Sequence, residues 1–245
     1  KSALEASSYG RKLADEINTS LYGIAFNSKD SITIKKYGVE KLINIKTDHV
    51  FDAKIYADLL CKNFKDLEGT IFITGSSADS RYIFPIVSIS LDASYATNVI
   101  EFPSSISPLV IKRSAFTNKG FVFTELTTTY KIIGILNNSF GIFESERKLE
   151  VKDYIPESLG SNVQVESITE NEEKISIADA EIVVSGGRGL KGPENWSLLE
   201  DLAKILGAAT ACSKPVSDMG WRPNSEHVGQ TGKPVASNLY IAIGV

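Results

Sequence analysis

Cysteine, methionine, tryptophan and histidine are all scarce in this chain of 245 residues, which holds two, one, two and two of them. Cys61 and Cys212 stand far apart, at no spacing used for metal binding or redox exchange, so a disulfide scaffold and a zinc ribbon are not expected. Both sit among apolar neighbours and read as buried free thiols, a usage that fits a reducing compartment. Positive charge is not in excess: 26 Lys and Arg against 30 Asp and Glu leave a net charge of −4, without the basic footprint of a nucleic-acid binder. No run of about 18 apolar residues occurs, so no transmembrane helix is expected, and no signal peptide is visible. His227 has only its neighbour Glu226 as a possible co-ligand, and that side chain points elsewhere in an extended loop. It reads as a structural histidine, and His49, beside Asp48, as a solvated one.

What is present is an ordinary globular composition, 42% hydrophobic and 23% charged, with enough chain for one large domain or two smaller ones. Ser2 to Ile17 carries Leu4, Leu13 and Ile17 at roughly helical spacing, Tyr22 to Phe26 is a short apolar strand, and Tyr56 to Phe64 is an amphipathic helix. Thr70 to Thr74 is a β-branched strand running into Gly75-Ser76-Ser77. Asp79 to Leu91 follows as a helix with Ile83, Phe84, Val87 and Leu91 on one face, which Pro85 is expected to kink or shorten. This alternation predicts βαβ units around a parallel sheet. Three extended runs, at 108–113, 120–124 and 131–136, read as strands added to that sheet. Arg147 to Glu173 is charged and weakly periodic, with the composition of a connection rather than a packed element.

The alternation then resumes. Ala180 to Val184 is a strand and Ser185 to Gly189 a tight loop. Glu194 to Leu206 is a helix with Leu198, Leu199, Leu202 and Ile205 as its apolar stripe, stopped by Gly207. Ala208 to Cys212 and Asn238 to Val245 are further strands. A parallel strand normally leads into a covering helix, so a chain ending on one reads as cut short. The fold class expected is α/β: an N-terminal three-layer α/β domain over residues 1–165, a linker over 166–179, and a partial Rossmann-like domain over 180–245.

Two segments have the make-up of a ligand cradle. In the first, Ser185 to Gly189, glycines let the backbone turn tightly and approach a ligand, the following helix N-terminus attracts anions, and Arg188 adds a planar cation. Gly187, Gly189 and Gly192 satisfy the G-x-G-x-x-G spacing, but Pro193 delays the helix beyond what that fingerprint expects. The second, Cys212 to Lys233, follows a strand and carries Ser213, Lys214, Gln230 and Thr231, at the strand end where open α/β sheets bind ligands. Gly229 to Lys233 is too short for a P-loop, and Pro234 stands where Ser or Thr would hold magnesium. Trp221 reads equally as a packing anchor or a subunit contact. Gly75-Ser76-Ser77 could form a second nucleotide loop but reads as structural, because no basic residue stands closer than Arg81. No paired carboxylates, Ser-His-Asp set or Cys-His set stands out, which points to chemistry owned by a bound cofactor.

The runs Ser185 to Lys191 (SGGRGLK), Pro193-Glu194-Asn195, His227 to Lys233 (HVGQTGK) and Leu239 to Val245 (LYIAIGV) together resemble, in order and spacing, the electron transfer flavoprotein α subunit. Less specific segments such as Gly75 to Leu91 extend the resemblance over essentially the whole chain. It implies that the second domain binds FAD, with Arg188 near the flavin ring and Ser213, Lys214, Val228, Gly229, Gln230 and Thr231 beside the flavin and pyrophosphate. Thr231 would lie close to the ring nitrogen that receives hydride. It also implies a heterodimer with a β subunit, which would carry electrons from flavin dehydrogenases such as acyl-CoA dehydrogenases to a quinone oxidoreductase. Such a protein is a carrier rather than an enzyme, active in fatty acid β-oxidation, in the bacterial cytoplasm or in the mitochondrial matrix if eukaryotic. Lys214 departs from the Arg of many members and loses the two-pronged contact. The family also continues beyond Val245 and has a strand before Lys1. An NAD- or nucleotide-dependent oxidoreductase on the same fold, and a binding module that has lost its cofactor, stay open as alternatives.

Overall fold

In the computed structural model the described residues are 1–245 except 31, 49, 117, 158–159, 161–162, 164, 168–174, 178–179, 230 and 234. His49, Gln230, Pro234 and most of the expected linker therefore lie outside the described residues. The chain divides into two compact units, Lys1–Glu166 and Ser167–Val245.

The first unit runs α1 (Ser2–Glu16), β1 (Tyr22–Phe26), β2 (Lys41–Ile45), α2 (Ala53–Asp66), β3 (Ile71–Gly75) and α3 (Ala78–Leu91). It continues with β4 (Ser94–Val99), β5 (Ser105–Ile106), β6 (Leu109–Ala115), β7 (Gly120–Leu126), β8 (Lys131–Ile135) and β9 (Glu150–Tyr154). The central sheet has the order β3-β8-β4-β6-β5, with β7 on the other side of β6. Its β3, β8 and β4 are parallel, whereas β5, β6 and β7 join antiparallel. Side chains alternate across β8 with the period of two that a strand imposes. Ile132 packs with Leu60 and Phe64 of α2 and Val87 of α3, while Ile133 and Ile135 pack with Tyr9 and Leu13 of α1. Helices thus cover both faces, giving three layers.

Three expectations are corrected in this unit. The strands do not form a single sheet: β1, β2 and β9 make a separate parallel sheet, which lays Ile43 and Ile45 on Ile55 and Leu59 of α2. Its third strand, β9, lies inside the stretch expected to be a connection, because β2 pairs it residue for residue from Lys41–Glu150 to Ile45–Tyr154. The pairing ladder, not side-chain burial, makes it a strand; four of its five residues are exposed. Pro85 also fails to break its helix, since α3 runs unbroken from Ala78 to Leu91. The proline is exposed, where water can reach the carbonyl that loses its donor, and the buried stripe on the opposite side holds the helix. The Gly75-Ser76-Ser77 turn is structural: Ser77 caps α3 by accepting from the Ser80 amide, and the Ser76 hydroxyl donates to the Ile135 carbonyl at 2.6 Å.

The second unit contains β10 (Ile182–Gly186), α4 (Ser197–Leu206), β11 (Ala209–Cys212), α5 (Lys214–Asp218) and β12 (Leu239–Ile243), in a parallel sheet of order β11-β10-β12. Gly207 ends α4 in the left-handed conformation expected of it, with φ 60°. The apolar stripe of α4 is narrower than expected. Leu199 and Ala203 are buried on the sheet beside Val184 and Cys212, whereas Leu198 and Ile205 are exposed. Fully enclosed Ile133, on a central strand, gives a direct test of the three-layer core. Ile133→Ala should lower the stability of the first unit by about 2–5 kcal/mol, measured by urea unfolding.

Candidate functional site

The second sheet levels its strand ends. Gly186 of β10 stands in register with Cys212 of β11 on one side and Ile243 of β12 on the other, so three carboxyl ends finish along one edge. Everything that follows those strands emerges there: the glycine loop after β10, Ser213 and Lys214 after β11, and Gly244 after β12. The edge continues past β11, because Cys212 pairs with His227 in a parallel bridge and the Val228 amide donates to the Cys212 carbonyl at 3.0 Å. From there the chain folds back. Lys233 N–H donates to His227 O at 2.8 Å and Gly232 N–H to Gly229 O at 3.1 Å, closing a turn that carries Gly229 and Thr231.

Arg188, Ser213, Lys214, Val228, Gly229 and Thr231 therefore belong to one sheet edge, and Gln230 lies outside the described residues. Arg188 and Lys214 are exposed, and the Arg188 guanidinium has no hydrogen bond or ion pair with another described residue. The Ser213 hydroxyl, at the N-cap of α5, caps no backbone amide. Ser185, at the tip of β10, is 1% exposed, and its hydroxyl has no partner among the described residues. A guanidinium, an ammonium and unpaired hydroxyls gathered on one edge can hold an anion and hydrogen-bond a polar ring.

The glycine loop contributes differently from the expectation. A Cβ at Gly187 would overlap Gly244 O, and one at Gly189 would lie 2.6 Å from Gly244 Cα. These glycines admit the end of β12, not a ligand. The loop amides are also engaged: Gly187 N–H donates to Ile243 O, Gly189 N–H to Gly244 O, Leu190 N–H to Gly187 O and Lys191 N–H to Arg188 O. Nor is the start of the following helical stretch vacant for an anion, because the Glu194 carboxylate fills the space that a Cβ on Gly192 would take. Glu194 supplies negative charge to that helix start itself. Of the loop, Arg188 is what remains available to a ligand, through its side chain and its own amide, which has no bond with another described residue.

Residues that the pattern reading passed over lie just beneath this edge. Trp196 is buried against Gly186, where a Cβ would come within 2.5 Å of the indole. Arg222 makes a two-pronged contact with Glu226 through Nε and Nη2, both at 2.7 Å, and a third contact with Glu200 of α4 at 2.9 Å. The hydrogen bonds to Glu226 raise the pKa of Arg222 further, so its charge is permanent. The spacing of Arg222 and Glu226, four residues apart, was the available signal. Trp221 packs with the core around Val184 and Cys212, so it is an anchor within this unit. His227 is buried against the backbone of Gly232. No cluster of three or more His, Cys, Asp or Glu suited to a metal occurs among the described residues.

The family described as “Electron transfer flavoprotein domain” matches residues 1–158, and that described as “Electron transfer flavoprotein FAD-binding domain” matches residues 176–245. The chain belongs to the electron transfer flavoprotein α-subunit family. It is 30% identical over 252 residues to the “Probable electron transfer flavoprotein subunit alpha, mitochondrial” of Caenorhabditis elegans, covering 99% of this chain and 73% of that protein. It is 28% identical to the “Electron transfer flavoprotein subunit alpha” of Pseudomonas aeruginosa, over 86% of this chain and 68% of the relative. It is 31% identical to the mitochondrial α subunit of Arabidopsis thaliana, over 71% of this chain and 50% of the relative. Family membership makes this an electron transfer flavoprotein with FAD as its cofactor and a β subunit as its partner. No helix among the described residues is long and apolar enough to cross a membrane. The unpaired side-chain donors at the sheet edge, two cations and hydroxyls, have the chemistry to hold FAD, which carries an anionic diphosphate and a polar ring.

Two outcomes follow from this geometry. Gly187→Ala should destabilise the second unit by about 1–3 kcal/mol whether or not FAD is present, because it collides with protein rather than ligand; thermal unfolding with and without FAD checks this. Burial pushes the Cys212 thiol up to about 11, with Glu226 adding to the rise. A raised value means that the folded unit keeps a proton which the unfolded chain releases, so stability should hold below the ordinary thiol range and fall as pH climbs towards 11. Cys212→Ala should flatten that alkaline decline, read from unfolding curves at increasing pH.

Proposed function

We propose that this chain is the FAD-holding subunit of a heterodimeric electron carrier which accepts electrons from flavin dehydrogenases, acyl-CoA dehydrogenases among them, and passes them to a quinone oxidoreductase. The domain division proposed for this role is 1–165, a linker over 166–179, and a cofactor domain from 180 onward. The observation that carries the reading is the single sheet edge on which Arg188, Ser213, Lys214, Val228, Gly229 and Thr231 emerge. In this reading Lys214 and the segment 228–231, Gln230 included, lie beside the diphosphate, while the Val228 and Gly229 amides stay bonded to Cys212 O and Lys233 O. The Arg188 guanidinium lies beside the flavin ring, and the Thr231 hydroxyl donates to its reactive nitrogen. FAD supplies the redox chemistry when bound. The residues of this chain bind and orient it, and the Arg188 cation stabilises negative charge that develops on the ring.

An NAD-dependent oxidoreductase is the weaker reading. Such a site needs a carboxylate at the end of the strand after its glycine loop, where this chain has Ser213 and Lys214. A carrier of this kind also needs no acid–base set, and the buried free thiols fit the bacterial cytoplasm or the mitochondrial matrix.

Co-purification with the β subunit tests the proposal. The complex should show a flavin absorption band that bleaches with an acyl-CoA dehydrogenase and its substrate, then recovers on adding the quinone oxidoreductase. A colourless complex, or turnover of NAD, would sink the carrier reading. Arg188→Ala should weaken FAD binding about 10- to 100-fold, or about 1.4–2.7 kcal/mol, and lower the flavin midpoint potential. Arg188→Lys should fall between the two, because the charge survives without the planar fork.

A further inference from the structure

The contacts of Arg222 reach beyond its own loop. Its guanidinium is 15% exposed and Glu226 opposite it 7%. The third prong goes to Glu200 on α4, and the guanidinium carbon lies over the Trp196 ring, 5.4 Å from its centre. Each partner leads to a different part of the sheet edge. Trp196 supports Gly186 at the root of the glycine loop that carries Arg188. Glu226 immediately precedes His227 and Val228, the residues paired to the tip of β11. Glu200 ties the assembly to a helix packed on the sheet.

Besides the burial of His227 and the packing of Val228 beside Val183, Ala209 and Ala211, the turn is held by few bonds among the described residues. Its attachment to the sheet is the bridge at Cys212, and its own closure rests on the bonds among His227, Gly229, Gly232 and Lys233. A few bonds at an exposed edge leave a segment free to open locally. One largely enclosed cation, bound to Glu226, Trp196 and Glu200, opposes that opening. A lysine could keep the charge but not contact all three at once.

We propose that Arg222 is a positioning residue for the cofactor: by bridging Glu226, Glu200 and Trp196 it fixes the 227–233 turn against the β11 tip and sets Val228, Gly229 and Thr231 relative to Ser213 and Arg188. The inference rests on the FAD reading of this edge given above. Arg222 itself touches no reacting atom; it acts through the turn.

Two variants separate positioning from folding. Arg222→Lys keeps the charge and loses the two-pronged contact. The double variant Arg222→Met with Glu226→Leu replaces the pair by apolar side chains of similar size, an exchange that folded proteins tolerate. Both are made in the chain co-expressed with its β subunit. FAD affinity is read by quenching of flavin fluorescence, and the flavin midpoint potential is measured with unfolding temperature alongside. Hydrogen exchange is followed at the Val228 and Lys233 amides of the FAD-free chain. In both variants, exchange at those amides should quicken by about tenfold and FAD Kd should rise by about tenfold. The double variant should keep its unfolding temperature while its flavin potential shifts; a merely structural Arg222 would leave the potential unmoved. FAD affinity and potential equal to wild type in the folded double variant would overturn the proposal. If the wild-type complex itself binds no FAD, the cofactor reading falls and the clamp with it. Tight wild-type binding matched by the variants removes the clamp alone.

Discussion

The site depends on backbone packed against backbone without side chains between. Gly187 and Gly189 lie so close to Gly244 that no Cβ fits at either position, and two amide–carbonyl bonds join the segments. Gly244 takes φ 64° to make the approach, a conformation costly for any other residue. This contact locks the end of β12 under the loop after β10. With the register of β10 and β11, it brings all three strand ends level. A side chain at any of these glycines would push the loop outward and carry Arg188 with it.

Within that frame, the parts of the edge have separate duties. The amides of both loop glycines are bonded to the end of β12 and the loop serves as a platform, so it differs from a dinucleotide loop whose glycine amides face phosphate. Ligand-facing chemistry falls to side chains and to the turn at 228–231. Fixed charges at such an edge matter more than they would in water, because the buried sheet beneath cannot screen them. That arrangement suits a carrier, in which the protein contributes placement and electrostatics and the flavin contributes redox chemistry.

The first unit uses buried charge for a different purpose. Glu5 of α1 is buried, and its carboxylate accepts the amides of Asn138, Phe140 and Gly141 at 2.8–3.0 Å, pinning the loop that follows β8 to the helix. Arg11, one helical face further along, bridges Glu40 at 2.6 Å and Asp15 at 2.8 Å. Burial alone would raise the pKa of Glu40, but the Arg11, Ser20 and Leu21 donors outweigh it and hold the carboxyl below its ordinary value. These contacts organise the helix that covers one face of the main sheet.

Local pattern was enough for elements that bury their own side chains. The helices α1, α2 and α4, the strand β1 and the Gly207 stop all show in spacing and turn chemistry, because each satisfies its backbone or its apolar face with near neighbours. Strand β9 could not be read in this way: its side chains are mostly exposed, and only pairing with β2, more than a hundred residues earlier, makes it a strand. Pro85 likewise misled, since packing of the opposite face overrides a local penalty. At the site, the sequence marked Arg188, Ser213 and the 228–231 turn as polar groups following strands. What those glycines touch, and that Arg222 holds Glu226 beside the turn, was decided by tertiary structure. Close approach and buried ion pairing depend on which segments meet in space, and no short window of sequence contains that.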